Sequence, residues 1–226
     1  MANRKGLKFK VPEPTHSQTS RISLFDNKPQ HISVWDAIGD LPSLKNGEGY
    51  ELVEYTCAPF SEYQRRIRNS NGIVKNHISR KLKDTQYQRL LSLEPGQGHK
   101  DLPLHLQVKA GYSGAYGRLT KEMIAPTITR WVFHPGSGRW GHPLDIRVIS
   151  IREVARIQGF PDSFEFIGTY TQQCGQLGNA VPPLLAYEVI NNLEDQLFEA
   201  QILSKRSSKR SNDIFSSAAG KLKSTA

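Results

Sequence analysis

The sequence predicts a mixed α/β chain, on three observations. Two serine-led boxes, Ser33-Val34-Trp35-Asp36 and Ser150-Ile151-Arg152-Glu153, place a hydroxyl three residues before a carboxylate, the pattern that closes a helix N-terminus. The run Thr127-Ile128-Thr129-Arg130-Trp131-Val132-Phe133 alternates β-branched and aromatic residues. A helical apolar stripe follows Pro182-Pro183. At 226 residues, 37% hydrophobic and 23% charged, the chain can bury the core of one mid-sized domain or two small ones. That balance excludes a coiled coil, a collagen and a wholly disordered chain. No apolar run reaches membrane-spanning length, and no apolar stretch follows the first basic residues, so a soluble cytoplasmic chain is expected. Two cysteines, Cys57 and Cys174, make no disulfide framework.

Taken in order, residues 11–30 hold Pro12, Pro14 and Pro29 among polar residues and read as an extended lead-in. The box at Ser33 predicts a short helix stopping at Gly39. Residues 45–80 read as irregular, polar and turn-rich. A second short helix is expected from about Thr85 to Leu93, ended by Pro95-Gly96. Five glycines between 96 and 118 predict loops and short strands. Thr127–Phe133 is read as a strand with Thr127, Thr129, Trp131 and Phe133 on one face, turned by His134-Pro135-Gly136-Ser137-Gly138. The box at Ser150 opens a helix through Val154, Ala155 and Ile157 that ends near Gly159. The last helix starts at Pro182-Pro183 and carries Leu184, Leu185, Val189, Ile190, Leu193 and Leu197. That stripe is most simply a core-facing side.

The net charge of +9 is unevenly spread. Residues 61–156 carry seventeen basic and seven acidic side chains, whereas residues 157–203 carry six acids and no Lys or Arg. Charge alone fits a polyanion-binding surface and an ordinary solvated face equally well. Residues 204–226, rich in Ser, Lys, Arg and Ala, read as a disordered basic tail. His77, His99, His105, His134 and His142 match no ligand spacing, and no Cys pair accompanies them, so no metal site is expected.

One stretch is specific. Arg147-Val-Ile-Ser150-Ile-Arg152-Glu153-Val-Ala155-Arg156-Ile-Gln158-Gly159-Phe160-Pro161-Asp162 resembles the ninth conserved motif of DNA cytosine-5 methyltransferases. Gln176-Leu-Gly178-Asn179-Ala180-Val181-Pro182-Pro183 resembles the tenth. Tyr116-Gly117-Arg118-Leu119, Pro126-Thr127-Ile128-Thr129 and Gly138-Arg139-Trp140-Gly141-His142-Pro143 are similar to the stretch ending that family's target recognition domain. Pro12-Glu13-Pro14-Thr15-His16 and Val34-Trp35-Asp36-Ala37-Ile38-Gly39-Asp40-Leu41-Pro42 are similar to the segment entering it. The resemblance covers about residues 11–193 and rests on two long motifs in the family's order.

The resemblance implies an α/β fold: the C-terminal part of a doubly wound S-adenosylmethionine-dependent methyltransferase domain, plus a small mixed α+β, partly irregular target recognition domain. It divides the chain into a lead-in (1–44), a DNA-reading domain (45–146), a return to the catalytic domain (147–203) and the tail (204–226). It implies that Arg118, Thr127, Thr129, Arg130 and Arg139 face DNA, and that Asn179, Ala180 and Val181 line part of the S-adenosylmethionine site. Gly178 would permit close backbone approach. A helix N-terminal cap is the alternative for Asn179, and the motif match favours cofactor proximity over it. Arg147, Arg152, Glu153 and Arg156 are expected to pair internally rather than catalyse.

The family's Pro-Cys-Gln nucleophile loop, its Phe-x-Gly-x-Gly cofactor loop and its Glu-Asn-Val do not occur in these 226 residues. Cys57 lies in Tyr-Thr-Cys-Ala-Pro and Cys174 in Gln-Gln-Cys-Gly-Gln, so no catalytic residue is assigned. Cytosine C5 is a poor nucleophile until a thiolate adds to C6. The resemblance therefore implies the C-terminal half of a restriction-modification methyltransferase. It would be nucleoid-associated, would act on double-stranded DNA, and would depend on an N-terminal subunit carrying motifs I to VIII. A non-enzymatic sequence-specific DNA-binding module and an inactive gene fragment remain the alternatives.

Overall fold

Residues 9–16, 29–108 and 114–198 are described in the computed structural model of the chain. The basic tail at 204–226 and the start of the lead-in lie outside them. Contacts divide the chain into two units, Thr15–Pro183 and a smaller one formed by Met1–Pro14 with Leu184–Ala226.

In the larger unit, the Ser33 hydroxyl accepts from the Asp36 amide and opens α1 (Val34–Ile38) as its box predicts. A hairpin of β1 (Gly49–Glu54) and β2 (Ile73–Ile78) follows, antiparallel, with Tyr50 opposite His77 and Val53 opposite Val74. Between its strands lies α2 (Glu62–Ile67), opened by a second box, Ser61 with Gln64. Residues 45–80 are thus ordered by long-range pairing rather than irregular. α3 (Asp84–Leu91) matches the expected second helix and ends slightly early. α4 (Ile151–Ile157) begins at the Ser150 box. Gly159 follows at φ +85°, a conformation that favours glycine and lets the chain leave the helix. α5 (Tyr170–Asn179), capped by Thr169 with Gln172, has no counterpart in the sequence reading.

Thr127–Phe133 is not a strand. It is an irregular segment ending in a turn, and Ile128, Val132 and Phe133 are its buried residues. Thr127, Thr129 and Arg130 are exposed. The alternation misled because the segment never pairs; single side chains anchor it to the core instead. Among the described residues the one named sheet is the β1–β2 hairpin.

α4 is the hub. Every residue from Ile151 to Arg156 is buried, which requires neighbours on all sides. β2, α1 and α5 supply them. Leu119, Trp140, Val148, Ile149, Phe166, Cys174 and Leu177 complete one apolar cluster.

The chain is helical over 183–198 (α6), consistent with the expected start at Pro182-Pro183, and the smaller unit takes it from Leu184 onward. The Gln196 side chain bridges the Lys10 backbone, accepting from its N–H at 2.9 Å and donating to its carbonyl at 2.9 Å. Leu184, Leu185, Tyr187, Ile190 and Phe198 are exposed. Among the described residues no helix is long and apolar enough to cross a membrane.

Candidate functional site

The ninth-motif segment forms a buried ionic frame. Arg147 donates to Glu153 through both terminal nitrogens, Nη1 to Oε2 at 2.7 Å and Nη2 to Oε1 at 2.8 Å, and Nη2 also reaches Asp145 at 2.9 Å. Glu153 accepts from the Ser150 amide at 2.6 Å, so one carboxylate both caps α4 and neutralises Arg147. Arg156 forks onto Asp162 at 3.0 and 2.6 Å and reaches Asp40 and the Ala37 carbonyl. Arg152 donates to the carbonyls of Lys75, Pro161 and Phe164. All three guanidinium groups are excluded from solvent. These groups bond internally, as expected from the sequence.

Their charges fix the neighbouring titrations. Burial raises the Glu153 carboxyl, but Arg147 more than offsets this and holds it well below the usual carboxylate range. Burial pushes the His142 imidazole down to about 4. Its Nδ1 accepts from the amides of Leu144 and Asp145 at 3.2 and 2.9 Å, which requires that nitrogen to be unprotonated. Burial also lowers His77. His77 Nε2 donates to the Pro42 carbonyl at 2.7 Å, and the Ser150 hydroxyl donates to its Nδ1 at 2.9 Å. The hairpin, the lead-in and the α4 cap are tied together at that ring. Among the described residues no group of His, Cys, Asp or Glu gathers to hold a metal.

Among the described basic residues between 61 and 156, Arg118, Arg147, Arg152 and Arg156 are buried. Arg118 therefore leaves the DNA-facing set. Its Nε donates to His142, Nη1 to Leu93 and Nη2 to Pro143 and Leu144, all backbone carbonyls at 2.7–3.3 Å. Arg139 is half-buried, and its Nη1 donates to the carbonyls of Gly96, Gln97 and Arg118. Both arginines clamp loops together.

The other predicted residues converge at one place. Gly178, in the last turn of α5, lies against the Thr129–Arg130 backbone. A Cβ built there would sit 2.1 Å from the Arg130 nitrogen, so glycine alone allows the approach. This seats the exposed Thr127, Thr129 and Arg130 beside the end of α5. Asn179 is the last residue of that helix and not an N-terminal cap, which corrects the alternative reading. Asn179 and Val181 are exposed and Ala180 is half-buried. An open groove of about 460 Å³ runs along α5, lined by Arg130, Ile167, Gly168, Thr171, Gln172 and Gly175 among others. Arg130 is its one charged lining residue.

Sequence reasoning missed Trp131, which is 56% exposed on the same segment. Neither thiol is placed for chemistry at this surface. Cys174 is buried, and burial pushes it up to about 12; Cys57 is exposed and donates to the Asp40 carbonyl.

A family model for C-5 cytosine-specific DNA methylases matches residues 2–195. The chain belongs to that family. The chain is 35% identical over 216 residues to DNA (cytosine-5)-methyltransferase 2 of Arabidopsis thaliana, covering 85% of this chain and 14% of that protein. It is 32% identical over 175 residues to the type II methyltransferase M.DdeI of Desulfomicrobium norvegicum, covering 70% of this chain and 41% of that protein. It thus spans less than half the length of either. Among solved structures, a chain described as a DNA modification methyltransferase encoded within an E. coli prophage superposes with a TM-score of 0.55. At 22% identity, covering 75% of this chain and 48% of the other, it establishes the likeness of fold.

Proposed function

We propose that these residues are the C-terminal half of a DNA cytosine-5 methyltransferase, which reads the duplex and closes the cofactor site. The reactive sulfur resides on an N-terminal subunit with motifs I to VIII. The observation carrying this reading is the seating of Thr127, Thr129 and Arg130 against the tenth-motif end of α5 through Gly178. That contact supports the reading because Thr129 and Arg130, expected to face DNA, lie beside the helix end that precedes Ala180 and Val181, expected to face the cofactor.

The residues present suit the cofactor. The Asn179 amide is solvent-facing and free to bond an adenosyl or amino-acid group, and the exposed Val181 offers apolar surface for a ring. S-adenosylmethionine would supply the methyl group at that edge. Thr127, Thr129, Arg130 and the outer edge of Arg139 would hold phosphate or base edges and fix the register of the duplex. Extrusion of the target base would then present it to the N-terminal subunit. The exposed apolar residues of α6 would be covered by that subunit.

The test is reconstitution. Mixing the purified chain with a polypeptide carrying motifs I to VIII is expected to transfer labelled methyl to DNA, with neither component active alone. Methyl transfer by this chain alone, persisting in a C57S/C174S double variant, would overturn the reading. Failure of the mixture where a fused polypeptide succeeds would also count against it. Cytoplasmic, nucleoid-associated action in a restriction-modification system is the setting that fits.

A further inference from the structure

Trp131 is unusual in leaving more than half of an indole in solvent beside a buried core. Its surroundings are built. On one side its ring meets Phe133, with centroids 5.6 Å apart, and Phe133 is itself buried. The Arg80 guanidinium lies 4.9 Å from the centre of the Phe133 ring and donates to the Phe133 carbonyl at 3.2 Å. The Arg130 guanidinium is 5.9 Å from the indole centre. Two cations and two rings are therefore in pairwise contact, and Trp131 among them keeps 56% of its surface in solvent. The backbone beneath is fixed. The Trp131 carbonyl accepts from the His134 amide at 2.9 Å and from the Ser137 hydroxyl, and the preceding peptide rests on Gly178.

We propose that Trp131 is a base-stacking residue. Its open face takes the π-surface of a DNA base that has left the duplex stack, while Arg130 meets an adjoining phosphate. The inference rests on the DNA-reading assignment above and adds to it a residue and a mode of contact. Paired bases inside an intact duplex offer no free face, so the indole distinguishes opened DNA from closed DNA. Base–aromatic stacking tolerates any base, because every base has a π-face. It therefore serves opening of the duplex, and sequence choice is left to hydrogen-bonding groups elsewhere. The flanking cations suit a polyanion, and the surrounding segment between 61 and 156 is the basic part of the chain.

The experiment uses the full chain and two duplexes of one sequence, one fully paired and one with a single bulged base. The wild-type chain is expected to bind the bulged duplex more tightly, with quenching of the most solvent-exposed tryptophan emission. Trp131→Ala is expected to lose about tenfold on the bulged duplex and little on the paired one, whereas Trp131→Phe retains most of the preference. Arg130→Ala is expected to weaken both duplexes alike and flatten the salt dependence. Equal affinities of W131A and wild type for the bulged duplex would overturn the proposal. So would equal losses on both duplexes with no rescue by W131F, and so would a defect confined to joining the N-terminal subunit. If the wild-type chain binds neither duplex, the DNA-reading assignment itself fails.

Discussion

Gly178→Ala is expected to unseat the exposed segment from α5. The added Cβ would lie 2.1 Å from the Arg130 nitrogen, 2.4 Å from the Thr129 carbonyl carbon and 2.5 Å from the Arg130 Cα. All three are main-chain atoms and cannot rotate away. Ordinary contact begins at 3.4 Å against the 2.1 Å found, so the two backbones must part by about 1.3 Å. Overpacking of this kind costs about 1–3 kcal/mol. The gain in helix propensity from glycine to alanine returns at most about 1 kcal/mol, and less in a last turn. With about 0.5 kcal/mol returned the net loss is about 0.5–2.5 kcal/mol, and each kcal/mol lowers the Tm by about 2–4 °C for a chain of this size. Gly175, three residues earlier on the same helix, is the matched control. Nothing lies within 4 Å of a Cβ there, so Gly175→Ala is expected to stabilise by about 0.5–1 kcal/mol. Urea and thermal melts of the two variants, followed by circular dichroism, should shift in opposite directions. A shift of the same sign and size in both would refute the seating of the 129–130 peptide on α5.

The other outcomes concern the ionic frame and the surface. Glu153→Gln removes the charge opposite buried Arg147 and is expected to cost about 3–5 kcal/mol in urea unfolding. Acid sensitivity should trace to His142, whose pKa burial lowers to about 4 in the fold against about 6.5 in the unfolded chain. In that window the unfolded chain binds more protons, so stability falls as pH drops from 6.5 to 4, by up to about 3 kcal/mol. His77, also lowered, acts with the same sign. His142→Asn, which keeps an acceptor for the Leu144 and Asp145 amides, should flatten that slope in pH-dependent melts. Arg118→Ala, stripping a donor from the buried carbonyls of Leu93, His142 and Pro143 and from that of the exposed Leu144, is expected to cost at least about 2 kcal/mol. Arg130→Ala should leave stability within about 0.5 kcal/mol. It should lower the salt slope of DNA binding by about one phosphate contact.

The capped helices were legible wherever the capping acid is a carboxylate: Ser33 with Asp36 and Ser150 with Glu153 marked α1 and α4 within a residue. The same geometry with glutamine, Ser61 with Gln64 and Thr169 with Gln172, marked α2 and α5 just as clearly and was passed over. The hairpin was harder to read because its strands are separated by a helix and carry no short turn between them. Its ladder is interrupted at Asn76, whose φ of +57° turns it out of line. Its side chain then does a strand's work, accepting from the Phe166 amide at 2.9 Å and donating to the Phe166 carbonyl at 3.0 Å. At the site, residue type alone could not separate Arg118, enclosed by carbonyls, from Arg130, open to water. Burial is set by chain segments far away in sequence, and alternation within 127–133 says nothing about whether a partner strand exists.

The ionic frame around α4 has a mechanical corollary. Its joints are directional bonds between a few charged groups and the main chain, so they tolerate little drift and need no help from the side chains displayed outward. The span from Thr127 to Gly138 is held separately, by the Gly178 contact with its backbone, by the Arg80 bond to the Phe133 carbonyl and by buried Ile128, Val132 and Phe133, while Thr127, Thr129 and Arg130 face outward. Such a layout behaves like a chuck holding a removable bit. Substitutions on the outward side of that span are therefore expected to leave the melting of the frame behind it unchanged.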